Sequence, residues 1–332
     1  MPMLLLRYDL RRPEFSTASR TALYQAALDQ IEWADRHGFS AVVLSEHHGA
    51  ADGYLPSSRV MAAAVAARTQ QIQIHLSALI APLHDPLRLA EDLAVLSLLS
   101  EGRVLPIISG GYREEEFAAI GKTLADRKDY MDEIIPFLRK AFSGKPFEYQ
   151  GREVVVTPAP DTVPMLIMGG STHAAARRAA RDADYFIPSL PAVYETYREE
   201  LARLGKPDMG PSARQPATVY FVAENPDAYW KKLSPHALHE QNSYAEWAEK
   251  SGIPSPYAFY SDANSLRASG KYTVLTAAEM VELFSVLHEA EPMILSPLVG
   301  GLDPELSWQS LRLFEEQVFP HIAEGGSGVF KV

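Results

Sequence analysis

The sequence predicts an α/β fold, a single (β/α)8 TIM barrel with insertions. Three observations carry that expectation. Short apolar runs and amphipathic helical segments alternate eight times along the 332 residues with no internal linker, the pattern of parallel strands joined by crossover helices. The residues just after the predicted strands are polar and glycine-rich, as at the C-terminal mouth of such a barrel. The turn after the first strand reads Asp9-Leu-Arg-Arg-Pro13. It lacks the glycines of a dinucleotide-binding turn, which argues against an open doubly wound sheet.

Each element follows from local pattern. Met3–Tyr8 is an apolar run of strand type. Thr17–His37 carries Leu23, Ala27, Ile31 and Ala34 at helical spacing, with Gly38 as a stop. Ala41–Leu44 reads as a buried strand, and Ser57–Thr69 as an Ala-rich helix with Ser57 at its N-cap. Gln71–Ile80 alternates Ile72, Ile74 and Leu76, the period of a strand. Leu87–Leu99 is an amphipathic helix after Pro86, and Arg103–Ser109 a fourth strand stopped by Gly110-Gly111. Arg113–Ile120 and Asp126–Phe142 are helical, and Phe147–Thr157 is a hairpin turning at Gln150-Gly151.

Pro164–Met168, Asp184–Ile187 and Ala217–Ala223 are the fifth to seventh strands, separated by helices at Thr172–Arg181 and Tyr194–Leu204. Pro226–Lys250 is mostly helical, and a Gly-, Pro- and Ser-rich excursion runs on to Gly270. Thr276–His288 is a helix, Pro292–Leu298 the eighth strand and Pro304–Ile322 the last helix. A barrel takes about 250 residues, so the excess falls in insertions near 113–157 and 225–273. The domain is expected to span 1–323, and 324–332 to be a disordered tail.

Composition narrows the function. With no cysteine, disulfides, Cys-zinc sites and thiol nucleophiles are excluded. The 31 Lys and Arg against 42 Asp and Glu leave a formal charge of −11, the wrong sign for non-specific nucleic-acid binding. No stretch approaches the roughly 20 apolar residues of a membrane span, and the N-terminal Met1–Arg7 lacks a basic region and a cleavage site. The cytoplasm is the expected compartment.

Several strand ends carry candidate chemistry. Ser45-Glu46-His47-His48 follows the second strand. One histidine there suits general acid/base work near neutral pH. A metal is not expected, because adjacent histidines point apart on an extended chain and no further ligands are evident. A hydrogen-bonded structural loop is the plainer alternative. Gly169-Gly170-Ser171-Thr172 opens a helix after a strand, where free amides, the positive helix end and two hydroxyls suit a phosphate. The same residues also make an ordinary cap, and without a lysine this is no Walker loop. Ser109-Gly110-Gly111 would let a ligand lie against backbone. Val299-Gly300-Gly301 follows the eighth strand. His75 is expected to be a barrel-interior histidine, His236, His239 and Glu240 a solvated or packed helix face, and Trp230, Tyr244 and Trp247 packing for the second insertion.

Taken together these residues resemble the bacterial luciferase-like flavin-dependent monooxygenases. The likeness runs through Gly38-Phe-Ser-Ala-Val-Val-Leu-Ser-Glu-His-His48, Ala81-Pro-Leu-His-Asp-Pro86, Arg88-Leu-Ala-Glu91, Leu96–Arg103, Gly110-Gly-Tyr112 with Glu116-Phe117, and Pro164–Arg181. Pro297–Glu305 and Val318-Phe-Pro320 extend it to the C-terminal end. The resemblance implies a barrel that binds FMN or, in some branches, a deazaflavin. It implies that His47, with Glu46, is the active-site acid/base candidate and that Ser77-Ala78 is the site of a non-prolyl cis peptide under the flavin ring. It further implies that Gly170, Ser171 and Thr172 hold the phosphate, with Gly169 a cofactor-binding candidate beside them. Ser109 stands where luciferase has a cysteine beside the flavin, and Gly110 where it has an arginine near the phosphate. These departures count against light emission and leave the phosphate charge to be met from elsewhere.

The implied function is a two-component monooxygenase. A separate flavin reductase would supply reduced FMN, and O2 would oxidise a small apolar organic substrate. The alternatives are deazaflavin-dependent hydride transfer and flavin binding without turnover. A homodimer is expected, with the apolar helices Ser57–Thr69 and Leu87–Leu99 as its interface candidates.

Overall fold

Alternation in the strands decides which side chains meet the helices and which meet the barrel axis. In β1 (Leu4–Tyr8), Leu4, Leu6 and Tyr8 are buried outward, while Leu5 and Arg7 face a central cavity. The structure is a computed structural model and describes residues 3–210, 218–287 and 292–323.

The chain continues through α1 (Arg20–Arg36), β2 (Ala41–Leu44), α2 (Ser58–Arg68), β3 (Gln73–Ile80), α3 (Pro86–Leu99) and β4 (Val104–Ser109). Next come α4 (Glu114–Ala118), α5 (Arg127–Ala141), the hairpin β5 (Phe147–Tyr149) and β6 (Arg152–Val154), then β7 (Ile167–Gly170). They are followed by α6 (His173–Asp182), β8 (Tyr185–Pro188), α7 (Ala192–Arg203), β9 (Val219–Val222) and the long α8 (Pro226–Ser251). The remainder is α9 (Ala263–Ala268), β10 (Tyr272–Leu275), α10 (Ala277–Val286), β11 (Met293–Leu295), α11 (Pro304–Gln317) and α12 (Phe319–Ala323).

Among the described residues the main sheet has nine strands, in the order β10-β9-β11-β1-β2-β3-β4-β7-β8. Every neighbour pair is parallel. This is the expected α/β barrel architecture with one addition. The sequence reading has eight strands, and β10 is the ninth. Its four residues lie between the Gly270 turn and the Thr276 helix cap, too few to show a period of their own. It pairs with β9, which therefore sits between β10 and β11.

Most boundaries fall where the sequence places them. The hairpin turns at Gln150 and Gly151, both at positive φ, as a two-residue primed turn requires. Ser19, Asp85, Thr172 and Asn225 cap their helices through side-chain oxygens. Ser57 occupies the N-cap position of α2 but makes no capping bond. The fifth strand runs through the two glycines and ends at Gly170, later than its apolar run suggests. The last helix breaks into α11 and α12 at Val318. Ala217, His288 and the 324–332 tail lie outside the described residues.

Strand register stacks the inward residues in tiers. Tyr272, Val219, Ile294, Leu5, Ala41 and Gln73 are successive partners in the lowest tier. Arg7, Val43, His75 and Leu105 form the middle tier. Ser77, Ile107, Ile167 and Tyr185 form the upper one. In most barrels of this kind such layers interdigitate into a solid core. Here all of them line one cavity of about 1520 Å³, and Leu5, Val43, His75 and Leu105 are only half-buried. The packed core lies outside the strands, where Leu6, Val42, Ile74 and Ile108 meet Leu23, Ala62, Leu93 and other helix residues.

Candidate active site

Every site residue that the sequence singles out lines this cavity: Glu46, His47, Ser77, Ala78, Ser109, Gly110, Gly169, Gly170, Ser171 and Thr172. The glycines after β11 do not. Gly300 packs so closely on α8 that a Cβ there would lie 2.3 Å from the His236 carbonyl oxygen.

His47 sits just beyond β2 and is buried. Its Nδ1 lies 2.8 Å from Oε1 of Glu116 on α4. The same oxygen accepts from the His48 amide at 2.9 Å and from Arg113 at 3.1 Å. Burial holds the His47 pKa below its ordinary value, with the Glu116 carboxylate opposing that shift. A neutral ring with its proton on Nδ1 donates to Glu116 and leaves Nε2 as an acceptor. Nε2 lies 3.4 Å from the Tyr112 hydroxyl, whose own pKa burial raises. The His47 ring is thus oriented from behind, and its Nε2 is left able to accept a proton.

Glu46 faces elsewhere. Its carboxylate meets Nε2 of His48 and of His84, each at 3.3 Å, the Ser58 hydroxyl at 2.5 Å and the Ile80 amide at 3.3 Å. Glu46, His48 and His84 are close enough to share a cation. However, Arg59 lies 2.9 Å from Nδ1 of His84. That guanidinium can only donate, so Nδ1 accepts and the His84 proton sits on Nε2, toward Glu46. A metal-ligating histidine needs the reverse arrangement. Glu46 is therefore a hub that orders the loop behind His47.

Across the cavity lies a second pole. Gly170 ends β7, and α6 starts at once, capped by the Thr172 hydroxyl on the Ala175 amide at 3.2 Å. A Cβ at Gly170 would stand 2.7 Å from that of Ala175, so only glycine lets the helix end approach the strand this closely. Arg127 and Lys128 from α5 and Arg178 from α6 line the same region. Arg127 donates to the Gly111 carbonyl at 2.7 Å, and Arg178 pairs with Asp132 at 2.9 Å. Arg127 lies beside Gly110, its Cδ 3.9 Å from where a Cβ there would stand. Among the backbone features is a cis peptide at Ser77–Ala78.

Aromatic rings wall the His47 side. Tyr54 and Trp247 each have ring centroids 4.9 Å from His47, and Tyr244 stacks on Tyr257 at 4.3 Å. Tyr244 and Trp247 thus belong to the site, whereas Trp230 packs in a separate cluster against β9 and β10. Behind the rings Arg11 is fully buried, paired with Asp9 at 3.0 Å and Asp52 at 3.5 Å, its guanidinium over Tyr54, Tyr244 and Trp247. His239 bonds to Asp52 at 2.7 Å and His236 to the Gly300 carbonyl at 2.7 Å, so that helix face is packed. Glu240, next along α8, turns inward to Arg7 at 2.6 Å.

His75 lines the cavity as expected, with burial holding its pKa down to about 4. An unfolded histidine binds its proton near 6.5. Acid therefore favours the unfolded chain progressively as pH falls from about 6.5 toward 4. Thermal melts of the wild type should drop over that range, and His75→Gln should flatten the dependence. An unchanged pH slope in the variant would refute this account.

Fold and site together define a barrel enzyme of the oxidoreductase type. The chain belongs to the luciferase-like monooxygenase family, whose pattern matches residues 11–284. It is 30% identical to limonene 1,2-monooxygenase of Rhodococcus erythropolis over 118 residues, which is 36% of this chain and 30% of that one. The chain spans about half or less of the length of the curated relatives it matches. Among solved structures it resembles monooxygenase RslO1 from Streptomyces bottropensis, with a TM-score of 0.71, 22% identity and coverage of 96% and 99% of the two chains. The FMN complex of the oxygenating constituent of 3,6-diketocamphane monooxygenase from Pseudomonas putida gives 0.68, 20%, 97% and 98%. An F420-dependent secondary alcohol dehydrogenase in complex with an F420-acetone adduct gives 0.66, 16%, 97% and 99%. At these identities the structural likenesses bear on the fold.

Proposed function

We propose that the protein is a two-component FMN monooxygenase, which takes reduced FMN from a separate flavin reductase and uses O2 to oxidise a small apolar organic molecule. One observation carries the reading. A cationic helix-end cradle and a buried His–Glu pair face one another across a cavity larger than the roughly 300–1,000 Å³ of a single-ligand pocket.

The donor set fits a flavin phosphate. Ser171, the first amides of α6, Arg127 and Arg178 would hold the phosphate, with Ser109, Gly110 and Gly169 as the adjoining floor. Ile80, Ile107, Met131 and Ile167 offer apolar surface beyond it, next to Ser77 and Ala78. Reduced FMN, when bound, supplies the electrons for oxygen activation. His47 would accept or return a proton through Nε2, with Glu116 fixing the tautomer and Tyr112 steering the lone pair. Glu46 would position the His47–His48 loop, and the aromatic wall would exclude water. A homodimer through the exposed Val60, Val95 and Leu99 of α2 and α3 completes the reading.

The neutral Nε2 of His47 also suits removal of an alcohol proton, which keeps deazaflavin-dependent hydride transfer as the second reading. Titrating the protein with each cofactor separates the two. FMN should bind at least tenfold tighter than riboflavin, which lacks the phosphate, and Arg178→Ala should erase most of that difference while leaving riboflavin binding unchanged. Tight deazaflavin binding without FMN binding would reverse the choice.

A further inference from the structure

The cavity wall opposite the cradle holds a further arginine. Arg7 points inward from the middle tier, in register with Val43. Among the described residues its guanidinium makes one hydrogen bond, to Oε1 of Glu240 at 2.6 Å, and its side chain remains 18% exposed, toward the cavity it lines. Glu240 is fully buried behind it and accepts from the Tyr272 hydroxyl at 2.6 Å through its other oxygen. The carboxylate is therefore engaged on both oxygens and offers a ligand nothing. Arg7 neighbours the Tyr244 and Tyr257 phenols, and Tyr244 belongs to the wall around His47.

We propose that Arg7 is a specificity-determining residue, whose free N–H groups hold a neutral oxygen acceptor, such as a carbonyl, on an otherwise apolar ligand. The inference rests on the reading of this cavity as a substrate site and says which substrates it prefers. A pure hydrocarbon filling this space would leave guanidinium N–H groups dry and unpaired, which is costly. A carboxylate would lose its own hydration to meet a cation whose charge Glu240 already balances, and would be repelled by Glu240 in turn. A carbonyl oxygen meets the donors without either cost.

The test uses heptan-2-one, heptane and heptanoate as probes, titrated calorimetrically into the full chain loaded with FMN. The wild type should bind the ketone at least about tenfold tighter than heptane, as a hydrogen bond to a charged group allows, and heptanoate no tighter than the ketone. Arg7→Met/Glu240→Gln, which removes the pair but leaves Tyr272 an acceptor, should bring ketone and alkane within threefold. Arg7→Lys keeps the charge, loses the fork and should lower the preference at least threefold, so the question stays answerable if the double variant does not fold. Equal binding of ketone and heptane by the wild type, binding of neither, tighter binding of heptanoate, or a ketone preference that survives the substitutions overturns the proposal. FMN titration of the same samples keeps the two readings apart. Failure of the wild type to bind FMN sinks the proposed function, whereas normal FMN binding with no ketone preference sinks only the role of Arg7.

Discussion

Replacing His47 with alanine is expected to lower turnover by about 10²–10⁴-fold, the usual yield of a positioned acid/base group, with FMN affinity unchanged. The separation follows from geometry. His47 shares the cavity with the cradle of Ser171, Arg127 and Arg178 but sits against Glu116, Tyr54 and Trp247 instead. The wild-type pH profile should carry an acidic limb below the ordinary histidine value, because burial favours the neutral ring and activity is lost as pH falls through its pKa. Glu116→Gln should lower two readouts together. Losing the carboxylate removes the influence that raises the His47 pKa, so the limb moves to lower pH, while the rate falls because the tautomer is no longer fixed. A His47 variant with wild-type turnover, or a Glu116 variant whose limb moves upward, would contradict these roles.

Arg11→Met is expected to cost about 4 kcal/mol of stability, the scale for stranding one half of a buried ion pair. Arg11 is wholly buried between Asp9 and Asp52 and stacked on three aromatic rings. Its loss leaves Asp9 without its paired cation, leaves Asp52 to His239 and the Tyr54 amide, and removes the support behind Tyr54, Tyr244 and Trp247. Lysine should not rescue it, since an ammonium cannot lie flat on the rings. Urea denaturation measures the loss, and a change under 1 kcal/mol would show that the aspartates are solvated without it.

The barrel was legible because each strand alternates between a lumen and a helix layer, and because caps and glycine stops punctuate the helices. β10 escaped because Tyr272–Leu275 is too short to show a period between a turn and a cap. The strand-end residues of the site were legible for the same reason as the strands. Their partners were not. Arg127 and Arg178 line the cavity and Glu116 backs His47, all from helices that follow the strand ends, and nothing local marks which turn of a helix faces the mouth. Glu116-Phe117 carried a signal through the family resemblance, though not a role. Glu240 reads as part of a solvated or packed face with His236 and His239, because a helical period does not single out the one residue that turns toward the barrel interior.

That hollow interior has a thermodynamic consequence. A barrel whose middle tier is only half-buried gives up part of a layer that ordinarily contributes to its stability, and whatever enters takes that part's place. Occupancy then acts as a stabiliser by mass action, worth about 2.7 kcal/mol at a hundredfold excess over the dissociation constant. The folded fraction would then rise with the concentration of whatever ligand fills the cavity.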